Sequence, residues 1–318
     1  MVSIVGSLTR VDRILRGGTS MKLLRMQVVL AAIDYDDASH AVLDAARALA
    51  EASGADLHAV HVDAPTSETR GATRPSERSS ADAAMALLER ANVPIDRSRC
   101  HVIAGEPAPV MRDLAERIGA DVIVLGPHRE QSGARGRLGG TALMIAAASS
   151  APCLIVRRPL HLPLKRVLVP LDLSDTARGA LVVALSWSSA LRGAPGSAAA
   201  HHPAELTAMF VDRAEGAGAA TASARHALEA ELDRVRKDAG SWAGVSIHGV
   251  TVAGADAAGA IADRARDEHA DLVVLGTRGL GLDGAGRLGS VSAEVSRRMD
   301  VPVLLVPPAI WTKVGSAP

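Results

Sequence analysis

The sequence predicts an α/β protein made of two tandem doubly wound domains, each built on a five-stranded parallel sheet. Three observations carry this expectation. Four segments of the first half recur in the same order in the second half. In both halves, short apolar runs alternate with stretches of helical period. Aromatic residues are only 2% of the chain, so the core must be packed from Val, Leu, Ile and Ala, which suits parallel strands covered by helices.

The repeat is read first, because it divides the chain. Val28-Val-Leu-Ala-Ala-Ile-Asp34 recurs as Val167-Leu-Val-Pro-Leu-Asp172, and Ala120-Asp-Val-Ile-Val-Leu-Gly126 as Ala270-Asp-Leu-Val-Val-Leu-Gly276. Gly136-Arg-Leu-Gly139 recurs as Gly286-Arg-Leu-Gly289, and Ala151-Pro-Cys-Leu-Ile-Val156 as Val301-Pro-Val-Leu-Leu-Val306. The last three pairs are 150 residues apart, whereas Asp34 and Asp172 are 138 apart. The second repeat therefore has extra residues early on. The stretch Arg192–Pro203, rich in Gly, Pro, Ser and Ala, reads as the loop that holds them. The expected organisation is a leader over 1–25, a first domain over 26–160 and a second over 163–309.

In the second repeat the apolar runs are Val167–Asp172, Leu206–Asp212, Ser246–Val252, Leu272–Gly276 and Val303–Val306. Helices are expected near Thr176–Leu191, Ala222–Lys237, Ala257–Glu268 and Val291–Met299. Ser174 or Asp175 can cap the first of them by offering an oxygen to unpaired backbone amides. The first and fourth runs lack alternation, as strands buried on both faces do. Strands and helices alternating at this pace form right-handed βαβ units and hence a parallel sheet. The first repeat follows the same plan, with a polar loop from about Pro65 to Ser80.

Composition excludes several classes of function. Basic and acidic residues balance at 35 each, so no overall field favours nucleic acid or a membrane surface. The scarcity of aromatics also argues against a single-strand nucleic-acid reader, which stacks bases on them. Cys100 and Cys153 form no disulfide framework and have no zinc-knuckle spacing; free thiols fit a reducing cytoplasm. No apolar run approaches the roughly 20 residues that span a bilayer. The first 25 residues place Ile4, Leu8, Val11 and Leu15 at helical spacing among Arg10, Arg13 and Arg16, before Gly17-Gly18. A basic amphipathic membrane helix, a disordered leader, or translation starting at Met21 or Met26 are the readings; the last two are preferred. The segment lacks the apolar core and cleavage site of a secretory signal.

In an open parallel sheet, ligands bind beyond the carboxyl ends of the strands at the topological switch point. In the second repeat those ends carry Asp172, Val211-Asp212 and the loop Gly276-Thr-Arg-Gly279-Leu-Gly-Leu-Asp-Gly-Ala-Gly-Arg-Leu-Gly289-Ser290-Val-Ser292. Glycines let backbone amides approach an anion, and amides at Gly289 and Ser290 would open a helix whose positive end favours phosphate. Ser290 and Ser292 hydroxyls could donate, and Arg278 or Arg287 could add charge. The same loop read plainly is a flexible connection, and Asp172 read plainly is a strand-end turn residue.

Other motifs fail on context. Gly279-Leu-Gly281-Leu-Asp-Gly284 has the G-x-G-x-x-G form, but it does not open a helix directly and no acidic residue ends the next strand. No Walker sequence occurs. His58 and His61 are three apart in a strand and face opposite sides. His201-His202 lies in the loop extension, and Cys100-His101 begins a strand. Ser290 lacks the flanks of a nucleophile elbow. No catalytic constellation is evident.

The spacing Gly276-x2-Gly279-x9-Gly289-Ser290, together with the Asp172, Gly276 and Val306 strands, resembles the nucleotide loop of ATP-binding universal stress proteins. The similarity covers about residues 26–308. It implies the adenine nucleotide alpha hydrolase-like fold, with ATP, alone or with Mg, as the ligand. Asp172 would lie by the adenosine portion and the backbone of Phe210 and Val211 by adenine. Gly276, Arg278, Gly279, Gly289, Ser290 and Ser292 would surround ribose and phosphates. In the first repeat the loop reads Gly126-Pro-His-Arg129, then Gly139-Gly140-Thr141. Arg129 replaces the second glycine and Gly140 the serine, so this repeat reads as degenerate for ATP, with Thr141 in partial compensation. The resemblance implies a cytoplasmic stress or signalling protein whose two domains form an internal pair, with homo-oligomers an open option. A slow ATP hydrolase using Asp283, or a scaffold that binds no nucleotide, are the alternatives.

Overall fold

The computed structural model describes residues 26–34, 38–64, 77–126, 140–192, 203–212, 219–238, 244–279 and 287–310. The leader, most of the Arg192–Pro203 extension, and the loop centres carrying Arg129 and Asp283 lie outside these residues.

Repeat 1 runs β1 (Val28–Ala32), α1 (Ala38–Ser53), β2 (Asp56–Asp63), α2 (Glu77–Arg90), β3 (Cys100–Ala104), α3 (Pro107–Ile118), β4 (Val122–Leu125), α4 (Gly140–Ala148) and β5 (Cys153–Ile155). Repeat 2 runs β6 (Arg166–Leu171), α5 (Asp175–Ala190), β7 (Ala204–Asp212), α6 (Ala219–Asp238), β8 (Val245–Ala253), α7 (Ala257–Asp267), β9 (Leu272–Gly276), α8 (Ser290–Arg298) and β10 (Val303–Val306). Two boundaries differ from expectation by three residues or more. The helix α2 begins at Glu77, inside the stretch read as polar loop, because Ala84, Leu87 and Leu88 form a stripe buried against the sheet. The helix α6 begins three residues before Ala222.

The ten strands among the described residues form one sheet in the order β3-β2-β1-β4-β5-β10-β9-β6-β7-β8. Every neighbouring pair is parallel except β5 and β10, which meet antiparallel with Leu304 opposite Leu154. Each repeat is thus a doubly wound unit of order 3-2-1-4-5, and the two are joined edge to edge. This pairing removes the inner edge of both sheets, where unpaired backbone groups would otherwise face solvent. Because the halves run antiparallel, the carboxyl ends of their strands open at opposite ends of the shared sheet.

Two cores follow from the alternation of side chains along strands. One face buries Val29 and Ala31 with α1 and α2, and Val167 and Val169 with α5 and α6. The other buries Leu30 with α3 and α4, and Leu168 with α7 and α8. Both cores run through the β5–β10 junction without a break. In α5 even the flank away from β6 is buried, from Thr176 to Ser188, and Arg178 reaches from it to Glu231 on α6 at 2.8 Å.

The recurring Asp of the Ala-Asp segments has a structural duty at the amino ends of the strands. Asp121 Oδ2 accepts the amides of Gln27 and Val28 at 2.6 and 2.9 Å. Asp271 Oδ2 accepts those of Lys165 and Arg166 at 2.8 and 2.9 Å. Each carboxylate pins the start of the repeat's first strand beside its fourth, at the end opposite the carboxyl ends of the parallel strands.

Cys153 sits in the junction strand and is buried, which pushes its thiol up from 9.0 to about 12. A group that binds its proton more tightly when folded stabilises the fold below its unfolded value and loses that contribution as pH rises towards the folded one. The stability of the wild type is therefore expected to fall between pH 9 and 12 more steeply than that of Cys153→Ala. Urea midpoints at pH 8 and pH 10.5 for both proteins check this; parallel slopes would dismiss the thiol as the cause.

Candidate functional site

The carboxyl ends of β6, β7 and β9 and the first turn of α8 enclose a cavity of about 720 Å³. Asp172, Phe210, Val211, Gly276, Arg278, Gly279, Gly289, Ser290 and Ser292 all line it. Its lining includes the apolar Leu171, Met209, Ile261 and Leu275, together with Arg278, Arg287 and the buried Asp212. Such a mixture, apolar walls with a few converging polar groups, is the usual character of a small-molecule site.

Asp172 follows β6 directly. Its Oδ1 accepts from the amide and the hydroxyl of Ser174 at 3.0 and 2.5 Å, while Ser174 Oγ caps α5 by accepting from Ala177 N at 3.2 Å. Ser174, rather than Asp175, is therefore the cap. The other carboxylate oxygen faces Gly279, where a Cβ would stand 2.2 Å from Oδ2. Only a glycine lets that backbone lie so close. Asp172 is thus both a strand-end turn residue and a wall of the cavity.

Gly276 ends β9 against the first turn of α5, where an added Cβ would come within 2.8 Å of the Thr176 methyl carbon. At the other end of the loop, Gly289 is the N-cap of α8 and has no side chain to close the helix. Its own amide does not face the cavity: it donates to Thr277 O at 2.8 Å. The helical ladder starts with Ala293 N to Gly289 O, so the amides of Ser290, Val291 and Ser292 have no partner inside the helix. Ser292 Oγ donates to Gly276 O at 2.7 Å and is buried, tying α8 to β9, so its proton is turned to the protein. The backbone amides without a partner inside the helix therefore lie one position further on than the sequence suggested, with Arg278 and Arg287 alongside.

Repeat 1 has a cavity at the equivalent place, at about 390 Å³ little more than half as large. Leu30 pairs with His58 and Leu168 with Thr207, so His61 occupies the position of Phe210. The His61 ring lies 3.1 Å from both Ile33 O and Asp63 Oδ1, with Asp34 Oδ1 at 3.7 Å. Gly140 and Thr141 open α4 there. The motif that betrays this difference was visible in the sequence as His61-x-Asp63, but only strand register shows that it replaces Phe210. Nor did spacing show that His58 stacks on His101 of the next strand, with ring centroids 5.3 Å apart. Burial, with Arg99 beside His58 and with His58 and Arg117 beside His101, lowers both imidazoles below their usual range.

Among the described residues no group of His, Cys, Asp and Glu is arranged to hold a metal ion. None of the described helices is long and apolar enough to cross a membrane.

Fold and cavities together define a doubled, doubly wound α/β protein with a cleft at the switch point of each half. A family model described as the universal stress protein family matches residues 26–157 and again 163–307, and the chain belongs to that family. Among solved structures, a universal stress protein from Archaeoglobus fulgidus DSM 4304 is similar at 22% identity and a TM-score of 0.63, covering 88% of this chain and 96% of its own. A functionally unknown protein from Pseudomonas aeruginosa PAO1 is similar at 14% identity and a TM-score of 0.59, covering 92% of this chain and 97% of its own. At these identities the likeness is one of fold. No curated protein matches the chain.

Proposed function

We propose that repeat 2 binds ATP, with the base toward the ends of β6 and β7 and the phosphates at the amino end of α8, and that occupancy serves a stress or signalling role in the cytoplasm. The observation that carries this reading is the single cavity of about 720 Å³ lined by every residue of the Gly276-x2-Gly279-x9-Gly289-Ser290 pattern that lies among the described residues. Three helix amides without a partner inside the helix and two arginines supply what a triphosphate requires, a positive end and close donors. The apolar lining supplies what a base requires. Repeat 1 is read as not binding ATP, because His61, 3.1 Å from Asp63, occupies the position that Phe210 has in repeat 2, and the cavity is smaller.

Isothermal titration of the nucleotide-stripped protein with magnesium-ATP tests this. One site per chain is expected. Two sites would overturn the reading of repeat 1, and no binding would leave the scaffold of the same fold as the better description.

A further inference from the structure

The helix α8 presents its amino end to the cavity of repeat 2, and among the described residues three side-chain ties hold it to other elements. Ser292 anchors its first turn to Gly276 O. Arg298 pairs with Asp256, the N-cap of α7, at 2.8 Å on the surface. The third tie comes from the other repeat. Arg157, just beyond β5, crosses the junction and donates Nη1 to Arg297 O and Met299 O at 2.8 and 3.1 Å.

Those carbonyls belong to the last turn of α8, where backbone oxygens have no partner within the helix. A guanidinium there satisfies two of them and places a positive charge at the negative end of the helix. Burial lowers the Arg157 pKa, Asp300 opposes that shift, and Nε and Nη2 are buried with no partner among the described residues. A half-buried arginine with two idle donors is a costly way to link two surfaces.

The tie is also one-sided. The repeat aligns Val156 with Val306 in sequence, so the counterpart of Arg157 is Pro307, which has no side-chain donor to return to α4. Among the described residues, this guanidinium tie is made to the helix of the repeat whose glycine loop is intact. A helix of nine residues is about 13 Å long, so a shift or loosening at its carboxyl end is carried rigidly to the amides at its amino end.

We propose that Arg157 is a positioning residue through which repeat 1 sets the anion-binding helix of repeat 2. The proposal rests on the nucleotide reading of that site. It places the contact on phosphate, which α8 would bind, and leaves the nucleoside end untouched.

The test compares wild type with Arg157→Ala, Arg157→Lys and Arg158→Ala, the last removing only the exposed pair with Asp300. Affinities for magnesium-ATP and for adenosine are measured by titration, alongside hydrogen exchange of the α8 amides and thermal melting. Arg157→Ala is expected to weaken ATP about fivefold, leave adenosine unchanged and speed exchange across α8. Arg157→Lys should recover part of both effects, and Arg158→Ala should match wild type. A lowered melting temperature with an unchanged ratio of ATP to adenosine affinity would make Arg157 a structural tie only and overturn the proposal. A wild type that binds no nucleotide would instead remove the functional reading. In that case unchanged α8 exchange in Arg157→Ala would also dismiss the mechanical tie, and faster exchange would retain it without a nucleotide role.

Discussion

Gly289→Asp is expected to abolish binding of magnesium-ATP while leaving the protein as stable as wild type or slightly more so. Gly289 is the N-cap of α8 with φ −61 and ψ 146, an ordinary extended conformation open to any residue. A Cβ there meets nothing closer than Thr277 O at 3.4 Å. Aspartate is among the best N-cap residues, so the substitution gains a few tenths of a kcal/mol over glycine. The same carboxylate would take hydrogen bonds from Val291 or Ser292 N, amides the phosphate reading assigns to the ligand. It also sets a negative charge where a triphosphate would lie. Titration and thermal melting on one preparation check both halves. A mutant that binds ATP as wild type does would remove the α8 amides from the site, and a mutant that unfolds would show that Gly289 is needed for the fold.

Gly279→Ala is expected to damage both stability and binding. Its Cβ would lie 2.2 Å from Asp172 Oδ2, and Asp172 cannot simply swing aside because Ser174 holds its other oxygen through two hydrogen bonds. Overpacking of this kind costs about 1–3 kcal/mol. The displaced loop would also carry Arg278 away from the cavity. The double variant Asp172→Ala with Gly279→Ala relieves the clash, so its stability should exceed that of Gly279→Ala alone, a coupling that urea denaturation measures. Strict additivity of the two substitutions would mean that the loop does not rest on Asp172.

Much of this was legible in the residues. The doubling, the alternation of strand and helix, and the ends of β9 and β10 follow from apolar runs that local pattern alone defines. Val303–Val306 and Leu272–Gly276 are fully buried strands and read as such because no polar residue interrupts them. The start of α2 was not legible. Ser79 and Ser80 are poor helix formers, and only burial of the stripe that follows draws them into the helix. The nine residues named from the resemblance line one cavity, and the glycines among them stood out by spacing, because a glycine loop works through backbone geometry. Which groups are already engaged was not. The amide of Gly289 and the hydroxyl of Ser292 point into the protein, at Thr277 O and Gly276 O. Those partners lie more than ten residues away along the chain.

The amino-acid sequence by itself determined that this protein is two copies of one α/β unit with a glycine-rich loop kept in the second, since repeats, period and composition are properties of the chain. Only the tertiary structure decided how the copies meet and what that meeting does. The antiparallel pairing of β5 with β10 turns the two clefts to opposite ends of one sheet. It also brings Arg157 of one repeat to the carboxyl end of α8 in the other. The physical reason is that edge pairing is made by backbone groups that every residue but proline carries alike, so no side-chain pattern announces it, and contacts across it join residues 140 positions apart.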